Sequence, residues 1–154
     1  MLPKQILVPT DLSDGAEQAL HYACELARTL DAQIHLLNVI SIPALGVPEL
    51  GIALTSSMID QLVIDNQAEL DRLARTKCTA QVGRVMVKTG NARDVINQTA
   101  KELGAHLIVM GTHGRHGISR ALLGSVAETV VRSAPCAVLT VRVRNLHDTD
   151  RHAA

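Results

Sequence analysis

The sequence predicts an α/β protein in which a parallel β-sheet carries helices on both faces. Short apolar runs typical of strands alternate with segments whose apolar residues recur at helical spacing, in the order β-α-β-α-β-α-β-α-β. The chain has 154 residues, 47% of them hydrophobic, and Tyr22 is its one aromatic residue. We therefore expect one domain with an aliphatic core over residues 1–144, followed by a polar, flexible tail over residues 145–154.

The first 40 residues contain two strands and one helix with clear boundaries. The first strand runs from Gln5 to Val8 and ends at Pro9. A helix follows over Ser13–Leu30, and the second strand covers Ile34–Ile40. The next stretch, Ser41–Ser56, is rich in Pro and Gly and is long for a loop in a compact domain, which indicates a functional or mobile segment.

The rest of the chain continues the alternation. Asn91 is a suitable cap for the third helix, and Gly104 ends that helix. The fourth strand is continuously apolar in its middle, as expected for a strand buried on both faces. The remaining predicted elements are a helix over Met58–Thr76, strands over Arg84–Lys88 and His106–Met110, a helix over Ser125–Ala134 and a strand over Ala137–Val143.

Composition narrows the possible functions. The formal net charge is zero, which argues against a broad surface for nucleic acid or anionic membranes. We find no apolar stretch long enough for a membrane span and no signal peptide, so a cytoplasmic protein is expected. Cys24, Cys78 and Cys136 form no CxxC pair or metal spacing, and we interpret them as free thiols.

A glycine-rich segment after the fourth strand is the strongest chemical signal. Gly111 and Gly114 allow close backbone approaches, and Gly124-Ser125 stands at a helix start, where free N–H groups favour a phosphate. Two ordinary explanations stay open, namely a simple turn and a capping box formed by Ser125 with Glu128. The segment is not a Walker A motif, and the spacing alone leaves phosphate binding and an ordinary turn equally plausible.

This spacing, G-x2-G-x9-G-[ST], resembles the nucleotide-binding signature of the universal stress protein family. The likeness extends in the family's order over nearly the whole chain and is weakest in residues 41–82 and in the tail. It is carried by ILVPTDLS at 6–13, LLNVI at 36–40, VKTGNARDVI at 87–96, LIVMGTHGRHG at 107–117 and LLGSVAETVVRSAPCAVLTVR at 122–142.

The resemblance implies a Rossmann-like fold of the adenine nucleotide alpha hydrolase type, with five parallel strands in the order 3-2-1-4-5. It places an ATP site at the carboxyl ends of strands one and four, which agrees with the switch-point rule. The implied nucleotide-binding residues are Pro9, Thr10, Asp11, Val39, Met110, Gly111, Gly114, Gly124, Ser125 and Val126.

Several of these residues have simpler interpretations. Asp11 suits ribose hydroxyls, but it also suits a helix start with Ser13 as the nearer cap. Val39 and Met110 fit core positions equally well, and Gly90 is interpreted as a turn glycine. His113 and His116 are treated as exposed loop residues, because no Cys, Asp or Glu lies nearby in sequence to complete a metal site.

The leading functional prediction is an ATP-binding stress-response switch with little or no hydrolysis, in which ATP could bring its own Mg²⁺. A slow ATPase or adenylate-forming enzyme is the rival, with His113 and His116 as its candidate acid or base. A nucleotide-free interaction module is the third possibility. We also expect a homodimer, or a higher oligomer, through the last strand, Ala137–Val143, unless Arg142 and Arg144 protect that edge. An unidentified protein partner is expected as well.

Overall fold

The computed structural model describes residues 2–41, 55–112 and 124–142. Within these ranges the predicted alternation of strands and helices is confirmed. The elements are β1 Gln5–Pro9, α1 Asp14–Leu30, β2 Gln33–Ile40, α2 Ser56–Lys77, β3 Gln81–Thr89, α3 Ala92–Leu103, β4 Leu107–Gly111, α4 Ser125–Ser133 and β5 Ala137–Val141. Most of the predicted loop 41–56, and Val143 of the predicted last strand, lie outside the described residues.

The five strands form one parallel sheet in the order β3-β2-β1-β4-β5. This confirms the order that the family resemblance implied. β1 is the central strand: its Pro9 pairs with Leu37 of β2, and its Leu7 pairs with Ile108 of β4. β3 and β5 form the two edges.

Each face of the sheet packs against its own pair of helices, because successive strand residues point to opposite sides. Ile6 and Val8 of β1 pack with α1 and α2, including the fully buried Leu70. Leu7 and Ile108 pack on the other face with α3 and α4, including the fully buried Val130. The chain therefore moves to one face after β1 and to the opposite face after β4.

The ends of α3 follow the sequence prediction closely. The Asn91 side chain accepts a hydrogen bond from the Asp94 amide, and Gly104 ends the helix in the left-handed conformation with φ 58°. Gly90 is a turn residue with φ 139°, as interpreted from sequence. Local side-chain capping and the freedom of glycine explain these boundaries without tertiary information.

β3 is longer than predicted because it contains a bulge. Ile34 pairs with Val82 and Leu36 with Val85, so two residues of β3 lie opposite His35 alone. The His35 Nδ1 atom accepts a hydrogen bond from the Arg84 amide at 2.9 Å. Its Nε2 lies 2.5 Å from the Gln5 side-chain oxygen, so the ring proton is on Nε2.

The buried position of the His35 ring affects its own pKa and restricts the neighbouring residue Gly83. Burial, together with the charge of Arg84, lowers the pKa of His35. A side chain at Gly83 would place its Cβ 2.5 Å from the His35 ring, so the bulge requires a residue without one. The glycine interrupts the strand pattern in the sequence, which explains why only Arg84–Lys88 was predicted.

None of the helices within the described residues is long and apolar enough to cross a membrane. The cytoplasmic location stays a prediction.

Candidate functional site

The carboxyl ends of β1 and β4 form the switch point of the sheet. These neighbouring strands send their following helices, α1 and α4, to opposite faces. The divergence opens a crevice at the edge of the sheet, which is where open α/β sheets hold their ligands. The predicted site residues that the structure describes lie at or next to this edge.

The β1–α1 turn forms one wall of the crevice and is closed by its own side chains. The Asp11 carboxylate accepts hydrogen bonds from the Ser13 amide at 3.1 Å and from the Ser13 hydroxyl at 2.5 Å. Ser13 in turn caps α1 through the Ala16 amide at 3.3 Å. Leu12, whose amide bonds to the Thr10 hydroxyl, has a φ of 63°, an uncommon conformation for a leucine.

Ser13 is therefore the cap of α1, as expected from sequence, and Asp11 is held by that cap. The arrangement fixes the carboxylate at the mouth of the crevice. A carboxylate in a fixed position can accept hydrogen bonds from the hydroxyl groups of a sugar.

The backbone amide and carbonyl of Val39 point beyond the end of β1. Along β2, the Gln33 amide donates to the Lys4 carbonyl, and the Leu37 carbonyl accepts from the Thr10 amide. Every second residue from Gln33 therefore directs its backbone amide and carbonyl toward β1. β1 ends at Pro9, which is paired with Leu37. Val39 is the next residue of this set, so its polar groups face the open end of the sheet. A planar base could meet its amide and carbonyl there.

Two asparagines connect this wall to α2. The Asn38 side chain, which is buried, donates to the Thr10 carbonyl at 2.8 Å. Asn66 of α2 donates to the Asn38 oxygen at 2.9 Å. The end of β1 is thus held by a polar connection that sequence reasoning missed, because the partners are separated by 28 positions at each step.

The start of α4 forms the second wall, and no side chain among the described residues caps it. The Gly124 amide donates to the Thr112 carbonyl at 2.7 Å, and the Thr112 amide donates to Val141 of β5 at 3.0 Å. These bonds hold the beginning of α4 against the end of β4. Gly124 is the N-cap residue and provides no side-chain cap, so the amides of the first helical turn point outward.

The helix start at Ser125 is confirmed, and the capping box of Ser125 and Glu128, one of the two ordinary explanations left open, does not form. Ser125 is the first helical residue, not the cap, because the bond from Gly124 to Thr112 fixes where the helix begins. The Glu128 carboxylate lies 3.1 Å from the Arg132 guanidinium, one turn further along α4. The hydroxyl of Ser125 is therefore not committed to capping its own helix.

This open start distinguishes α4 from the other helices that the structure describes. Ser13, Thr55 and Asn91 cap α1, α2 and α3 with side-chain oxygen atoms. Only the start of α4 lacks such an oxygen among these four. The positive end of its dipole is thus left for an external anion.

A pocket of about 320 Å³ opens between the first turns of α3 and α4. Its lining residues are Ser41, Asn91, Ala92, Arg93, Ser125, Val126 and Thr129. Arg93 adds a cation to this wall, although its guanidinium already pairs with Asp94 at 2.6 Å. Sequence reasoning missed Arg93; its position two residues after the Asn91 cap, at the carboxyl end of β3, was the available signal.

The remaining predicted residues fall into three groups. Pro9, Thr10 and Met110 are buried, so they can present backbone atoms to a ligand more readily than side chains. Gly111 ends β4, and Val126 is exposed beside Ser125. The third group, Gly114, His113 and His116, lies outside the described residues. Within the ranges that are described, no three His, Cys, Asp or Glu side chains lie close enough to hold a metal ion.

A doubly wound parallel sheet of this order, with helices on both faces, defines the class of Rossmann-like α/β proteins. Within this class the chain belongs to the universal stress protein family, whose model matches residues 3–142. A universal stress protein of Methanocaldococcus jannaschii is 36% identical over 146 residues, covering 92% of this chain and 83% of that protein.

Solved structures agree with this assignment. The protein MJ0577 is 26% identical with a TM-score of 0.79, and the match covers 94% of this chain and 99% of that one. A universal stress protein solved in complex with cAMP is similar in fold, with 22% identity, a TM-score of 0.65, and 92% and 98% of the two chains covered.

Proposed function

We propose that this universal stress protein binds ATP at the switch point and acts as a nucleotide-responsive regulator with little or no hydrolysis. The observation that carries the proposal is the start of α4, which has no side-chain cap and is held at the end of β4 by the bond between Gly124 and Thr112. A phosphate chain would satisfy its outward N–H groups and its positive dipole end.

The proposed contacts follow the geometry of the two walls. Val39 would meet the edge of the adenine through its amide and carbonyl, and Asp11 would accept hydrogen bonds from the ribose. The phosphates would lie against Gly111, Gly124 and Ser125. The surrounding surface would be formed by Pro9, Thr10, Met110 and Val126, and the predicted contact from Gly114 completes the set.

Little hydrolysis is expected because the carboxylates nearest the proposed phosphate position are already engaged by other side chains of the protein. The nearest carboxylate on α4, Glu128, pairs with Arg132, and Asp11 is engaged by Ser13. Mg²⁺ would arrive with ATP. Nucleotide occupancy would then bias dimerisation through the last strand, Ala137–Val143, or the binding of a protein partner, which requires unequal ATP affinity for two states.

Binding is tested by calorimetric titration of nucleotide-free protein with ATP, ADP, AMP and cAMP, each with and without Mg²⁺. We expect ATP to bind most tightly, because more phosphate oxygens can reach the amides of α4. Nucleotide released by denaturing the freshly purified protein gives an independent measurement. An empty extract together with no heat and no thermal shift from any of these nucleotides would favour the nucleotide-free interaction module.

Turnover is tested separately with ATP and Mg²⁺. We expect phosphate release close to that of a control without protein. Release well above this control that is lost in His113→Ala would instead identify an ATPase.

Oligomerisation is tested by sedimentation of the protein with and without ATP. A dimer whose dissociation constant changes with ATP is expected. A monomer at micromolar concentration under both conditions would contradict the proposed dimer.

A further inference from the structure

The fold brings together two cysteines that are 54 positions apart in the sequence. The sulfur atoms of Cys24 and Cys78 lie 2.9 Å apart. Cys24 is fully buried on α1, whereas Cys78 is partly exposed at the C-cap of α2. Both belong to the same side of the sheet, where α1 and α2 pack together. The third cysteine, Cys136, packs on the opposite side.

The two thiols of this pair are not equivalent. The Cys24 thiol donates a hydrogen bond to Cys78, which lowers the pKa of Cys78 to about 7. The same bond, together with burial, raises the pKa of Cys24 well above its ordinary value. One partner is therefore a partly exposed sulfur with thiolate character, and the other is a protonated thiol in contact with it. Reactive and resolving cysteines commonly differ in this way.

We propose that Cys24 and Cys78 form a peroxide-reactive dithiol that closes into an intramolecular disulfide between α1 and the end of α2. The Cys78 thiolate attacks the O–O bond of a hydroperoxide, becomes a sulfenic acid and releases hydroxide, or alkoxide from an organic peroxide. The sulfur of Cys24 then attacks the sulfur of Cys78. The leaving hydroxyl takes the proton of Cys24 and departs as water, while the first hydroxide is protonated by solvent.

Formation of the disulfide between Cys24 and Cys78 needs only a small local movement. The sulfur atoms must approach from 2.9 Å to a bond length of about 2.0 Å. Cys78 has extended backbone angles, φ −89° and ψ 118°, and the two residues after it are in neither helix nor strand. An ion pair between Lys77 and Glu17, at 2.5 Å, already joins the same two helices. The Cys78 side can therefore adjust while α1 stays in place.

The disulfide would stabilise the α1–α2 side of the protein under oxidising conditions, independently of nucleotide binding. It would close a long loop of the unfolded chain, and disulfides of this kind raise the melting temperature. We expect the oxidised protein to melt roughly 5 to 15 °C above the reduced protein.

The test compares the reduced wild-type protein with Cys78→Ala, Cys24→Ala and Cys136→Ser after treatment with one equivalent of hydrogen peroxide. Remaining thiols are alkylated in denaturant and assigned by peptide mass mapping. Two of the three thiols should disappear in the wild type, as a Cys24–Cys78 disulfide within one chain. Dithiothreitol should restore both. Cys136→Ser is the matched control and should form the same disulfide.

The single variants separate the two roles. Cys24→Ala should accumulate a sulfenic acid at position 78 that dimedone traps. It should react more slowly than the wild type at neutral pH, because the hydrogen bond that lowers the pKa of Cys78 is lost. In the wild type, the rate of thiol loss should rise as the pH passes through about 7. Cys78→Ala should keep its buried thiol unmodified. The proposal is overturned if the wild type keeps all its thiols, oxidises beyond sulfenic acid, or forms disulfides only between chains. If Cys24→Ala fails to fold, the peptide mass map of the oxidised wild type and the thiol state of Cys78→Ala still test the proposal. The same results would support or overturn it.

Discussion

The two connections that line the switch point are built in opposite ways. The β1–α1 turn is satisfied internally: Asp11 holds Ser13, and Ser13 caps α1. Among the described residues, backbone hydrogen bonds join the end of β4 to the start of α4, and Gly124 leaves the first turn of α4 without a side-chain cap. Both precede a helix at the carboxyl end of the sheet, but among the described residues only the second leaves its helix start without a side-chain cap.

This difference supports a division of roles within the proposed nucleotide site. A turn stabilised by its own side chains keeps a carboxylate in a fixed place, so it serves orientation. An uncapped helix start gains stability when an anion arrives, so it serves binding. Substitutions in the β1–α1 turn should therefore reduce stability more than substitutions at the start of α4. Substitutions at the start of α4 should reduce nucleotide affinity more.

The largest effect is expected from Ser125→Asp. An aspartate in the first turn of α4 would occupy the positive helix end and repel phosphates, so ATP affinity should fall about 100-fold or more. Melting temperature should stay equal or rise, because acidic residues favour a helix start. Ser125→Ala is the matched control and should lose about three- to tenfold, the cost of one hydroxyl contact. Equal losses in both variants, measured by calorimetry, would contradict an electrostatic role for this helix start.

A smaller effect is expected from Asp11→Asn. The amide keeps an oxygen that can accept the hydrogen bonds from Ser13, so the unfolding free energy should change little. The negative charge at the proposed ribose position is lost, and ATP affinity should fall about tenfold. Titration with adenine alone provides the control, since its binding should be unaffected. A variant that loses stability but retains ATP affinity would show that Asp11 only supports the turn.

Ser13→Ala tests the first connection from the side of stability. Removal of the α1 cap should lower the unfolding free energy by about 1 kcal/mol. The loss of ATP affinity should be smaller than for Asp11→Asn, because the carboxylate remains. Denaturant titration measures the first quantity and calorimetry the second. An unchanged unfolding free energy would show that the turn does not depend on its cap.

The smallest effect, a change in the pH dependence of stability, is expected from His35. This residue lies near the beginning of β2, away from the carboxyl ends of the strands, so it also serves as a control. Its pKa is lowered in the folded protein, so the unfolded chain binds the proton more readily. The stability it contributes is present above the ordinary histidine pKa of about 6.5 and is lost as the pH falls below that value. His35→Asn keeps an acceptor for the Arg84 amide and should flatten this dependence in denaturant titrations. An unchanged pH profile would assign the acid sensitivity to other groups.

Much of the fold was predictable because its signals are local. Asn91 and Gly104 bound α3 through their own chemistry, and the apolar run of β4 reflects burial on both faces. The strand order came from the family resemblance, since periodicity carries no information about neighbours. The bulge at Gly83 was missed because its cause, the ring of His35, lies on another strand.

The site was predictable in position more than in detail. The switch-point rule and the glycine spacing located the edge of the sheet, and the helix start at Ser125 was predicted correctly. Whether Ser125 forms a capping box stayed open at the sequence level, because the bond from Gly124 to Thr112 is a tertiary contact. The connection from Asn66 through Asn38, and the meeting of two cysteines, depend likewise on distant parts of the chain. Contacts of this kind have no sequence pattern of their own.

The hydrogen bond between Gly124 and Thr112 also makes the sequence between them, after the proposed contact residue Gly114, a candidate position for inserting foreign sequence. This 2.7 Å bond holds Thr112 and Gly124, the residues on either side of the segment, next to each other. Because closure entropy grows with the logarithm of length, doubling the segment would cost only about 0.6 kcal/mol. A fluorescent reporter placed there would sit beside α4, close enough to respond to the ligand while leaving the sheet intact.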